Sequence, residues 1–113
     1  MNTLEKQAYN LVKYLENELY VDIKLIFTTP PRDDEDSEGQ TICKNNLILV
    51  YKRPYIMNDW KVMREIIVHE AAHRFDHLKR GPKHHEPKKG HDSFYNHCYQ
   101  EVMIVAKQSR YWY

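Results

Sequence analysis

The chain has 113 residues, 42% of them hydrophobic and 29% charged, with a formal net charge of +1. That length suits one domain over residues 1–113 with a core of limited size, and the near-zero charge argues against nucleic-acid or membrane partners held by bulk electrostatics. No stretch approaches the roughly 20 apolar residues that span a bilayer, and Met1 to Asn10 is polar, unlike a signal peptide. The expectation is a cytoplasmic protein in which the two distant cysteines, Cys43 and Cys98, are buried reduced thiols.

Leu4, Ala8, Leu11, Val12, Leu15 and Leu19 recur at helical spacing and predict an amphipathic first helix. From Val21 to Thr28 the period changes to alternation, which predicts a strand ended by Pro30-Pro31. Arg32 to Gln40 is acidic and aperiodic, so it reads as an exposed loop. Asn46 to Tyr51 is a short apolar run and predicts a second strand, with Ile42 as an extension and Pro54 as its breaker. Asn58 or Asp59 caps the next helix, which runs to about Lys79 and stops at Gly81-Pro82. After a loop to Gly90, Asp92 or Ser93 caps a last helix through Ala106. The expected fold is α+β: a helix, a small antiparallel sheet, and two further helices.

The fourth predicted element, the second helix, carries His69-Glu70-Ala71-Ala72-His73. Residues four apart on a helix share one face, so both imidazoles can reach one metal ion. Glu70, turned about 100° away, suits a base that takes a proton from water rather than a ligand. A shuffled chain of this composition would contain the HExxH pattern roughly 3% of the time, so context has to support it. The context is a strongly apolar helix, in which two histidines and a glutamate without a shared partner would be costly to bury.

A catalytic zinc takes three protein ligands and a water. His77 continues the stripe but would lie about 12 Å along the axis from His69, too far for a shared ion. His91, after Gly90 and at the start of the last helix, is the leading candidate, with Glu101 and His97 as alternatives. His84 and His85, beside lysines, read as solvated.

With these residues placed, the chain resembles the SprT-like metallopeptidases. The likeness rests on the strand Asn46-Leu47-Ile48-Leu49, on Ile66-Ile67-Val68 leading into HExxH, and on Gly90-His91-Asp92-Ser93-Phe94. It covers roughly residues 42 to 99 and implies a zincin-like domain with His91 as third zinc ligand. In size the chain is similar to the minigluzincins, single-domain metallopeptidases with a histidine third ligand. That likeness implies latency, with the C-terminal segment blocking the cleft within one chain or exchanged between two. Tyr111-Trp112-Tyr113 suits that role, as it suits ordinary packing of a last helix. No cysteine-pair zinc ribbon or basic extension follows, and the lysines at 79, 83, 88 and 89 read as a solvated run, so nucleic acid is not an expected partner.

The expected function is peptide-bond hydrolysis with one Zn2+ per chain, held by His69, His73 and His91. A zinc-activated water attacks the carbonyl and Glu70 acts as general base. The strand Asn46 to Tyr51 is the expected partner for an extended peptide or protein substrate. Asp76 and Asp92 could each orient a ligand histidine through its free ring nitrogen. The ordinary readings are a surface charge for Asp76 and a helix N-cap for Asp92, and the cap, which is compatible with the other role, is the favoured one for Asp92. The alternatives are a zinc-stabilised binding module without catalysis, and metal buffering by the histidines at 84, 85 and 91.

Overall fold

The computed structural model describes residues 2–81 and 92–113. Helix α1 spans Thr3–Leu19, started by Asn2, whose side chain accepts the Glu5 amide at 2.8 Å. Its face of Ala8, Leu11, Val12 and Leu15 is buried, as the spacing predicts. The helix ends at Tyr20 in the left-handed region (φ 53°).

Strand β1 covers Lys24–Thr28 and is shorter than the expected run. Val21 and Ile23 are buried ahead of it, but the Ile23 amide donates to the Glu16 carboxylate, so the sheet ladder starts at Lys24. Strand β2 (Gly39–Ile42) and strand β3 (Leu47–Tyr51) are joined by a short 3₁₀ turn at Cys43–Asn45 and by Asn46 at φ 54°. Helix α2 is a single turn, Pro54–Met57, with Pro54 as its first residue rather than only a strand breaker. Helix α3 runs Trp60–Arg80, capped by Asp59, and helix α4 runs Ser93–Gln108, capped by Asp92 through the Tyr95 amide at 2.9 Å.

Two expectations are corrected here. The sheet is mixed, in the order β1-β3-β2: β1 runs parallel to β3 and β2 antiparallel to it. Residues 29–46 between β1 and β3 leave room for the return path a parallel pair needs, whereas a direct hairpin would force antiparallel pairing. The second correction is β2 itself, whose first residues fall in the stretch expected to be a loop. Ile42 belongs to β2 and pairs with Leu47 across the turn instead of extending β3. The approach to β2 is fixed by side chains: Asp34 accepts the amides of Asp36 and Ser37, and Arg53 donates to the Ser37 and Asp34 carbonyls at 2.7 and 2.8 Å.

Helix α3 packs against the other three helices and against β2 and β3. It is therefore buried almost all round, with Met63, Ile67, Val68, Ala71 and Ala72 at 0% exposure. The C-terminal tail closes this packing. Trp112 is buried, and its carbonyl accepts from Trp60 and Arg64, each at 2.7 Å. The Arg64 guanidinium lies 4.2 Å from the Trp112 ring centre. Among the described residues, no helix is long and apolar enough to cross a membrane.

Candidate metal centre

His69 and His73 project from one face of α3, one turn apart, with ring centres 5.2 Å apart and planes at 76°. The ligand atoms of His69, Glu70 and His73 all lie within 4.8 Å of one another, so the group can hold a metal ion. His69 Nε2 and Glu70 Oε2 are 3.9 Å apart. Two imidazole nitrogens on one helix face suit a borderline divalent ion, a class that includes zinc, and leave the Glu70 carboxylate beside the ion.

Glu70 is 6% exposed. A buried carboxylate needs hydrogen-bond partners, and β2 supplies one: the Thr41 hydroxyl lies 2.7 Å from Glu70 Oε1 and 3.0 Å from the Glu70 carbonyl oxygen. His69 is the open side of the group, its side chain 39% exposed at the wall of a cleft of about 600 Å³. Asp36, Ser37, Glu38 and Gly39 line one side of that cleft, and Val62, Glu65, Ile66, His69 and Glu70 another, with Tyr55 and Tyr99.

Helix α4 brings Tyr95 onto the histidines. Its ring stacks on His73 (4.4 Å between centres, planes at 28°) and meets His69 edge-on at 5.9 Å. Its hydroxyl donates to the His69 carbonyl at 3.0 Å. Burial, with the charge of Glu70 as a smaller cause, holds the phenol far above its usual range.

His84, His85 and His91 lie outside the described residues, as do the lysines at 83, 88 and 89. Among the described residues, neither Glu101 nor His97 joins the cluster. Glu101 instead pairs with Lys79 at 3.4 Å, and exposed His97 sits 3.8 Å from it. His77 is half-buried and outside the group. Asp76 and Asp92 both accept from Arg80, which ties the end of α3 to the start of α4. That contact and the bond to the Tyr95 amide hold the Asp92 carboxyl below the usual carboxylate range. Cys98 is buried, which pushes its thiol up to about 11, and Cys43 is half-buried.

Sequence reasoning missed Thr41, Gly39 and Tyr95. Gly39 carried the one available signal, being among only three glycines in the chain. Thr41 and Tyr95 carried none, since nothing in the local pattern separates them from edge and core residues. The expected substrate-pairing strand, Asn46 to Tyr51, is also corrected: β3 is bonded on both sides, so its backbone is not open to a further strand. Among the described residues, β1 and β2 are the two edges of the sheet, and β2 is the edge strand whose Gly39 lines the cleft. No protein-family model, no curated protein and no solved structure matches this chain.

Proposed function

We propose that the chain is a zinc-dependent peptidase with a zincin-like domain, of the small SprT-like or minigluzincin kind that its motifs resemble. The observation that carries this is the convergence of His69, His73 and the buried Glu70, with His69 and Glu70 at the wall of an open cleft. In this reading His69 and His73 are ligands, and His91 is the third. Support for His91 comes from its neighbour in sequence, since α4 starts at Ser93 and its Tyr95 lies on His73.

Bound zinc would supply Lewis acidity, lowering the pKa of a water toward about 7 and polarising a peptide carbonyl. Glu70 accepts the proton at Oε2, the oxygen nearer His69, and returns it to the leaving amine. Thr41 engages Oε1 and so keeps the carboxylate from rotating away. An extended peptide lies along the outer edge of β2, adding a strand where Gly39 meets the cleft. The carboxylates of Asp36, Glu38 and Glu65 give that cleft a negative wall.

The test is Glu70→Gln. The variant is expected to keep zinc near one ion per chain and to lose about 10²–10⁴-fold in peptide hydrolysis, the usual worth of a general base. Zinc-loaded wild type that cleaves no peptide would sink the peptidase reading. Loss of zinc in the glutamine variant would make Glu70 a ligand instead of a base.

A further inference from the structure

We propose that Gly39 and Thr41 form a cradle on β2 that fixes the Glu70 carboxylate, with Thr41 as a positioning residue for proton transfer. The proposal rests on the hydrolase reading of the site. Gly39 and Thr41 are two apart on a strand, so they face the same side, and that side is turned to α3.

The two residues do different work. A Cβ on Gly39 would fall 3.3 Å from Glu70 Cγ and 2.5 Å from the Leu49 carbonyl oxygen. The missing side chain is what lets β2 pair this closely with β3, and it leaves the Glu70 side chain its place without a tight contact. Thr41, two residues on, fills the next place with a hydroxyl. That hydroxyl has one proton and two acceptors within reach, at 2.7 Å (Oε1) and 3.0 Å (the helix carbonyl). The charged and nearer acceptor makes the stronger bond, so the proton goes to the carboxylate. Thr41 is 8% exposed and Glu70 6%, so water competes little for this bond. With Oε1 held by β2, Oε2 is the oxygen turned toward His69. The same strand carries the outer edge proposed for substrate, which links where the peptide lies to where the base points.

Thr41→Val keeps the shape and removes the donor, while Thr41→Ser keeps the donor. Zinc-loaded Thr41→Val is expected to lose about 10–100-fold in kcat with KM within about twofold, since a misplaced catalytic group costs on that order. Thr41→Ser should recover most of kcat. In the Glu70→Gln background, adding Thr41→Val should change kcat no further. The readout that does not depend on turnover is the 13C resonance of the Glu70 carboxyl in zinc-free protein. It should move in Thr41→Val and return in Thr41→Ser. An unmoved resonance, or a serine variant as impaired as the valine one, overturns the proposal. So does a fall in thermal midpoint with kcat and KM unchanged, which would leave Thr41 a structural residue only. If no form cleaves peptide but the resonance follows the hydroxyl, the cradle stands and the peptidase reading falls.

Discussion

Removing the Tyr95 ring should weaken zinc binding as well as the fold, because this buried core side chain also lies on both histidines. The ring stacks on His73, and the hydroxyl donates to the His69 carbonyl, so one side chain touches both proposed ligands. Losing the hydroxyl bond in Tyr95→Phe costs about 1 kcal/mol. Losing the stack as well, in Tyr95→Leu, adds about 1 kcal/mol. If these contacts hold the imidazoles in the arrangement that binds metal, about 2 kcal/mol becomes about a 25-fold rise in the zinc Kd for leucine and about fivefold for phenylalanine. Competition with a chromogenic chelator at fixed pH measures both, alongside the thermal midpoint of the zinc-free proteins. A leucine variant that binds zinc as tightly as wild type while melting earlier would refute the reasoning. Tyr95 would then be core packing that happens to lie beside the histidines.

Gly39→Ala should destabilise the protein by about 1–3 kcal/mol, because the new methyl meets the Leu49 carbonyl and one strand must shift. Urea unfolding with an unchanged slope would confirm a loss of this kind, and a neutral variant would show that β2 can move. Arg80→Ala should cost about 3 kcal/mol by leaving buried Asp76 without its cation, at the low end of the usual range because Arg80 is 19% exposed. It should also change the acid limb of stability. The folded Asp92 carboxyl sits below its unfolded value of about 3.9, so its contribution is present above that pH and is lost as pH falls through the lower folded value. Without Arg80, its first cause, that contribution shrinks and acid unfolding moves to higher pH, as circular dichroism would follow. An unchanged acid midpoint would count against the Arg80 link.

The three long helices were legible because their signals are local, whereas the single turn of α2 at Pro54–Met57 was not. The apolar period of α1 and the capping side chains of Asp59 and Asp92 act within a few residues, and each lies where its spacing predicts. Strand β2 was not legible. Gly39-Gln40-Thr41-Ile42 has no run of apolar alternation, and it is a strand because β3 offers an open edge and Arg53 holds the chain leading to it. The parallel pairing of β1 with β3 likewise depends on the path of residues 29–46 around the sheet, which no local pattern encodes.

The candidate site divides along the same line. Sequence alone determined that His69, Glu70 and His73 share one stretch of helix with both imidazoles on one face, because helical rise and period are fixed by the backbone. It could not determine what faces them. The Thr41 hydroxyl comes from 29 residues before Glu70 and the Tyr95 ring from 26 residues after His69, on elements placed by burial against α3. Such contacts are set by how apolar faces pack, so only the tertiary structure decided how the carboxylate and the imidazoles are held.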